Sequence, residues 1–287
     1  MDSLFEQYQE DFDSMPKFGT HFVRSNNNIE TLKEIFNCVD LTSLNTDDSY
    51  SSVKLFCEKV RDFPTHYQDI PNVAAVCTFS KYASILKRIL GETNVKRAVV
   101  SAGFPSSQIA IQHKIDETKD AIFNGANEID IVISVGEFFD KKYEIVCQEI
   151  NALKIKTAKL KVILETGILK TPENIWKASL LAMESGADFI KTSTGKSSVS
   201  ATPEAVWVMT HAIKVFNAKN GKKIGIKPSG GIVSVDDALL FHSIVKNVLG
   251  EKYMNNQLLR FGASRLANNI LTEIEKLKGN DRVVSYF

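Results

Sequence analysis

The 287-residue chain lacks any pairing of cysteines: Cys38, Cys57, Cys77 and Cys147 lie far apart and form no CxxC. That spacing fits a reducing compartment better than a disulfide framework, and no structural zinc site is expected. The five histidines, His21, His66, His113, His211 and His242, are equally scattered, with no HExxH, so no metal is expected. Neither sign of charge is in excess, with 35 Lys and Arg against 34 Asp and Glu. No overall field therefore draws the chain to nucleic acid or an anionic membrane, and any anion recognition must be local. No apolar run approaches ~18 residues, and the acidic start MDSLFEQYQEDFDSM has neither a basic nor an apolar signal stretch. These absences predict a cytoplasmic protein with neither nucleic acid nor membrane among its partners.

What is present is an ordinary globular composition, 44% hydrophobic and 24% charged, with enough length for a large core. No Pro/Gly/Ser-rich linker divides it. From about residue 40, short β-branched runs at 37–42, 73–78, 96–102, 128–134, 160–166, 188–193, 223–228 and 258–264 predict eight strands. Helical segments are expected between them, including 106–124, 141–158, 172–185, 203–220, 235–249 and 264–278. Thr171-Pro172 and Thr202-Pro203 pair an N-cap hydroxyl with a first-turn proline, and Ser234 with Asp237 has the spacing of a capping box. Alternating strands and helices need parallel crossovers, and eight units suggest a closed (β/α)8 barrel over residues 37–287, with an open doubly wound sheet as the alternative. Residues 1–36 are expected to form a helical extension covering one end or edge.

Chemistry in such a barrel sits at the C-terminal ends of the strands. Those ends read Asp40, Cys77, Phe104, Asp130, Glu165, Lys191, Lys227 and Ser264. In DFIKTS, Lys191 shares a face with Phe189 and Ser193; in KIGIKPSGG, Lys227 shares one with Gly225, which leaves room inside. Two desolvated ammonium groups on neighbouring strands disfavour each other's charge, and a neutral amine is what a Schiff-base nucleophile needs. Each lysine could instead snorkel or pair with a carboxylate. Asp130, between Ile129 and Ile131, needs a cationic partner, either as acid/base or as a purely structural ion pair. Glu128 starts that strand and suits a salt bridge at the barrel bottom. Glycine turns with Gly195 and Lys196, with Gly230 and Gly231, and with Gly262 before Ser264 offer backbone N–H groups to an anion, so a phosphorylated substrate is expected. Cys77 reads as a small core residue that could also face the mouth, and Phe104-Pro105 as a loop shaping the pocket wall.

NGANEIDIVIS, KVILETGIL, SGADFIKTSTGK, KIGIKPSGGI and FGAS, preceded by DLTSLNTDD and AAVCTF, resemble the 2-deoxyribose-5-phosphate aldolase family over roughly residues 37–270. The resemblance implies a class I aldolase on a (β/α)8 barrel, acting on a small sugar phosphate and acetaldehyde without a cofactor, with a homodimer as the assembly entertained. Lys191 would form the imine, Asp130 would move protons through a water, and Lys227 would lower the pKa of Lys191. Gly195, Lys196, Gly230, Gly231, Gly262 and Ser264 match the family's phosphate turns; Asp40, Thr42, Leu44 and Cys77 match pocket positions; Lys161 matches a lysine of a buried polar network. Three departures stand out. Ile232-Val233-Ser234 replaces an arginine-bearing turn, Arg265 replaces a second hydroxyl after FGAS, and Tyr286 is penultimate to Phe287 where some members end on tyrosine. Arg265 is the expected substitute for the missing phosphate contact. Another Schiff-base barrel such as a transaldolase, or a sugar-phosphate sensor without turnover, would keep part of the same pattern.

Overall fold

The computed structural model describes residues 1–19 and 23–287; residues 20–22, His21 among them, lie outside the described residues. The chain opens with α1 (Asp2–Gln7), α2 (Gln9–Asp13) and α3 (Ile29–Asn37), followed by β1 (Val39–Thr42), α4 (Tyr50–His66), β2 (Ala75–Phe79) and α5 (Ala83–Leu90). Next come β3 (Lys96–Val100), α6 (Ile111–Phe123), β4 (Glu128–Val132), α7 (Val135–Phe139), α8 (Tyr143–Leu153), β5 (Lys159–Ile163), α9 (Thr166–Leu169) and α10 (Pro172–Glu184). The series ends with β6 (Phe189–Lys191), α11 (Pro203–Asn220), β7 (Gly225–Lys227), α12 (Val235–Leu249), β8 (Phe261–Ala263) and α13 (Leu266–Leu277). Among the described residues no helix is long and apolar enough to cross a membrane.

The strands are parallel and ordered β7-β6-β5-β4-β3-β2-β1-β8. Parallel bridges Ile226 to Leu259 and Ser229 to Gly262 join the two outer strands, so the sheet closes into a barrel and the open alternative is excluded. The helix starts follow the capping signals. Thr171, Thr202 and Ser234 accept from the backbone N–H of Asn174, Ala205 and Asp237, and Asp237 returns the bond to Ser234. Two helices not singled out from the sequence, α4 and α5, cover β1 to β3; α4 starts with its own box between Ser49 and Ser52.

Several strands are shorter than the sequence suggests. The β6 ladder ends at Lys191: Thr192 N still donates to the Lys227 carbonyl at 3.2 Å, while Thr192 Oγ1 donates to the Ser229 carbonyl at 3.1 Å and Ser229 Oγ donates to the Ser193 carbonyl at 2.5 Å. Gly262, expected at the end of the last strand and in its phosphate turn, lies inside β8. Its missing side chain matters there, since a Cβ would fall 2.6 Å from Ser229 Cβ and 3.1 Å from Lys227 Cε. The room left by Gly225 is already taken: a Cβ there would meet the Phe189 ring at 2.3 Å.

The N-terminal segment packs along the flank of the barrel. Phe5, Tyr8 and Phe12, spaced three to four apart, meet Tyr143, Phe216 and Trp176 on α8, α11 and α10. Trp207 Nε1 donates to the Pro16 carbonyl at 2.7 Å. The expectation that this segment covers one end or edge is thus corrected for α1 and α2, whose aromatic face matches the outer helices. Past residue 23 the chain is tied to α12 through His242, which bonds Ser25 Oγ at 2.7 Å and Glu34 at 2.5 Å. The C-terminal residues fill a seam between α4 and α13. Tyr286 Oη donates to the Lys59 carbonyl at 2.9 Å, the Asn268 side chain brackets the backbone of Phe287, and the Phe287 ring stacks on Phe63.

Candidate active site

Strand register brings the charged residues together. Asp130 on β4 pairs with Lys161 on β5, and Lys191 on β6 with Lys227 on β7; all four side chains point into the barrel. Asp130 Oδ1 accepts from Lys161 Nζ at 2.9 Å. Its Oδ2 accepts from Lys191 Nζ at 2.9 Å and from Lys227 Nζ at 2.7 Å. Lys227 Nζ also lies 2.6 Å from Asp40 Oδ2, an ion contact without hydrogen-bond alignment. Lys161 Nζ reaches Glu128 at 2.7 Å and Asp40 at 3.3 Å. Beyond them Arg260 bonds Asp40 Oδ1 at 2.6 Å and both oxygens of Glu128 at 3.0 and 2.8 Å. The ion pair anticipated for Glu128 therefore extends into a seven-membered network.

Environment separates these groups. Burial opposes charge on Asp130, but Lys161, Lys191 and Lys227 hold its carboxyl well below the usual carboxylate range. Asp40 and Glu128 are likewise held down, against burial, by Lys161 together with Lys227 and Arg260 for the first and Arg260 for the second. Burial pulls Lys227 down, yet Asp130 and Asp40 outweigh it and raise its pKa; Lys161 is raised by the same two carboxylates and Glu128. Lys191 goes the other way. Burial lowers it and the Lys227 charge lowers it further, which outweighs the opposing pull of Asp130 and Cys77.

Above the network a cleft of about 290 Å³ is lined by Lys191 and by the predicted residues Thr42, Leu44, Gly195, Lys196, Gly230, Gly231, Gly262 and Ser264. Thr194, Ser229, Ala263 and Arg265 line it too, as do Asn45, Ile232 and Val233, which were not expected there. Gly195, Gly230 and Gly231 have φ of +77°, +81° and +75°, a backbone region that side chains resist, and a Cβ at Gly230 would also strike Ser200 Oγ at 2.5 Å. Among the described residues the amides of Gly195, Gly231, Ser264 and Arg265 have no acceptor within the protein, so they are open to an anion. Arg265 is exposed at the rim, just before α13. Lys196 Nζ bonds the Leu44 carbonyl at 2.6 Å, so it bridges two walls of the mouth.

Glu165 is a further organising residue. At φ +58° it turns its buried carboxylate toward the loop after β6, accepting from Thr194 N at 3.3 Å, Thr194 Oγ1 at 2.6 Å and Ser197 Oγ at 3.1 Å. The signal was available in ILETG, a carboxylate at the end of an apolar strand. Asp40 and Lys161 belong to the charge network and not to the cleft wall. Cys77 packs inside the barrel with Leu44, Ala75, Ala98 and Val100, with Phe104 alongside; burial, reinforced by the Asp130 charge, pushes its thiol up. Tyr286, bound to Lys59 on the barrel exterior, is not part of the site. Among the described residues no group of His, Cys, Asp and Glu is arranged to hold a metal ion.

The molecule is thus a (β/α)8 barrel with a buried lysine–carboxylate centre opening into a glycine-walled cleft. A model of the DeoC/LacD family aldolases matches residues 35–263, and the chain belongs to that family. It is an aldolase, and so a lyase. The deoxyribose-phosphate aldolase of Homo sapiens is 38% identical over 250 residues, covering 82% of this chain and 78% of the human protein. That of Agrobacterium fabrum is 35% identical over 236 residues, covering 81% of this chain and 87% of the relative. The deoxyribose phosphate aldolase structure from Aeropyrum pernix, 21% identical, superposes with a TM-score of 0.66 over 87% of this chain and 96% of its own and shares the fold.

Proposed function

We propose that the protein cleaves 2-deoxy-D-ribose 5-phosphate, reversibly, to D-glyceraldehyde 3-phosphate and acetaldehyde, with Lys191 as the Schiff-base nucleophile. One observation carries the assignment: of the four basic groups in the barrel interior among the described residues, Lys191 is the one that lines the cleft, and the glycine turns line the same cleft. Its relatives' substrate, an aldehyde at one end and a phosphate at the other, has the functional groups such a cleft would separate.

In this reading the neutral Lys191 amine attacks C1 of the open-chain aldehyde, and loss of water gives a protonated imine. A base takes the proton of the C3 hydroxyl. The C2–C3 bond then breaks, its electron pair moving toward the imine nitrogen to form an enamine while C3 becomes the aldehyde of glyceraldehyde 3-phosphate. Protonation of the enamine at C2 and addition of water release acetaldehyde and the free amine. The imine nitrogen is the electron sink, so no cofactor is required. Asp130, a water and Lys227 move the protons, a contribution of about 10²–10⁴-fold for ordinary acid–base catalysis. The open amides beside Gly195, Gly231 and Ser264, with Arg265, hold the phosphate and orient the distant bond. A homodimeric, cytoplasmic enzyme is the assembly and setting that go with this reading; light scattering and cell fractionation test them.

The deciding experiment is borohydride reduction with acetaldehyde followed by peptide mass mapping. A single two-carbon adduct on Lys191 is expected; active protein labelled elsewhere would overturn the assignment. Substrate profiling separates this reaction from other aldol transfers.

A further inference from the structure

We infer that Arg260, which lines no part of the cleft, sets the protonation state of the nucleophile by closing the charge balance of the barrel interior. The inference rests on the reading of Lys191 as nucleophile. Among the described residues the interior holds three carboxylates, Asp40, Glu128 and Asp130, and four basic groups, Lys161, Lys191, Lys227 and Arg260, each at most 3% exposed. With every group ionised there would be one positive charge in surplus, in a place where burial penalises it. That surplus favours loss of a proton from one basic group.

Contacts decide which. Arg260 keeps its proton at any accessible pH and is held by Asp40 and Glu128. Lys161 touches three carboxylates and Lys227 touches two. Lys191 touches Asp130 alone, at an oxygen it shares with Lys227. It is the least compensated ammonium and the one that is neutralised. The groups facing it bear this out element by element: Asp130 from β4, Lys227 from β7 and Cys77 from β2, with burial and the Lys227 charge lowering its basicity. Asp40 on β1 and Lys161 on β5 stand one contact further away. From the cleft side, Glu165 is bonded to Thr194 and Ser197, and Lys196 to the Leu44 carbonyl.

Without Arg260 the ledger becomes three carboxylates against three lysines. Asp40 and Glu128 then depend on Lys161 and Lys227, Asp130 is left to Lys191, and the nucleophile holds its proton. Arg260 is thus a positioning residue that acts through Asp40 and Glu128 without meeting substrate.

The test uses the full-length protein, acetaldehyde and cyanoborohydride across a pH series, with the Lys191 adduct quantified by peptide mass mapping. In Arg260→Met the pH midpoint of labelling is expected to rise by about one unit, the effect of one buried unit charge that does not touch the amine. The double variant Arg260→Met with Glu128→Gln removes one charge of each sign and returns the midpoint toward the parent value. Arg260→Lys, which keeps the charge, holds it. A purely structural Arg260 would reduce the folded fraction without moving the midpoint. If Arg260→Met does not fold, Glu128→Gln alone carries the test, since it enlarges the positive surplus and must shift the midpoint down. An unmoved midpoint in folded Arg260→Met, a double variant that fails to return, or an upward shift in Glu128→Gln overturns the inference. Absence of any Lys191 adduct in the parent protein at every pH instead overturns the nucleophile assignment.

Discussion

Lys191 and Lys227 are register partners on adjacent strands and donate to the same oxygen of Asp130, at 2.9 and 2.7 Å, yet their basicities move in opposite directions. The difference lies in their second contacts. Lys227 also meets Asp40, whereas Lys191 turns toward the cleft.

Replacing Lys227 by Met leaves the Asp130 Oδ2 to Lys191 and removes the neighbouring positive charge. Both changes favour the Lys191 ammonium. The turnover number should fall by about 10²–10⁴-fold, and the acidic limb of its pH profile should move upward. A loss of rate with the limb in its original place would show that Lys227 shuttles protons without tuning the amine.

Lys191→Met should abolish turnover while stabilising the fold at neutral pH. The folded-state pKa of Lys191 lies below the unfolded value of about 10.4. Between the two, the unfolded chain binds a proton that the folded chain does not, so the wild-type fold gains stability as pH rises through that window. Methionine removes this dependence, and the melting temperature should rise at pH 7, by about 2–4 °C per kcal/mol recovered. The gain should shrink as pH approaches 10. Thermal melts of the two proteins at pH 7 and 9.5 measure it, and a lower melting temperature for the variant at pH 7 would contradict the argument.

Arg265→Ala removes a cation at the rim of the cleft, beside the open amides of Ser264 and of Arg265 itself. The KM for the phosphorylated sugar should increase about ten- to a hundred-fold, the range for losing one charge-assisted hydrogen bond. Unphosphorylated deoxyribose should be cleaved as poorly by the variant as by the parent. A normal KM for the phosphate ester would exclude Arg265 as the replacement contact.

Tyr286→Phe loses the hydrogen bond to the Lys59 carbonyl and retains the ring packing against Phe63 and Tyr67. Turnover should stay within about twofold, with at most a small drop in melting temperature from one lost neutral bond. A large fall in turnover at unchanged stability would mean that the tail leaves its seam and works at the cleft.

The barrel was legible because its strands and helices obey local rules. Thr171, Thr202 and Ser234 cap helices as their spacing indicates, and the charged residues of the centre announce themselves as ionisable groups at the ends of, or within, apolar runs. Arg260 in LLRFGAS follows the same rule as Asp130 in EIDIV, yet its partners lie 132 and 220 residues away in sequence, which periodicity does not reveal. The strand ends ran long for a related reason. Thr192 and Ser193 have strand-like neighbours, and their bonds to Ser229 on the adjacent loop, 37 and 36 residues away, are not visible in local pattern. The flank position of α1 and α2 depended on aromatic partners on three different helices, again beyond the reach of local pattern.

The glycine wall of the cleft has a consequence for redesign. Gly230 cannot gain a side chain without striking Ser200, and Gly262 cannot without striking Ser229, so those positions are closed to variation. Ile232, Val233 and Arg265 line the same wall with side chains of their own, and none of them belongs to the charge network. Recognition of the far end of a substrate can therefore be rewritten on these three residues while the bond-breaking centre on β4 to β7 is carried over unchanged.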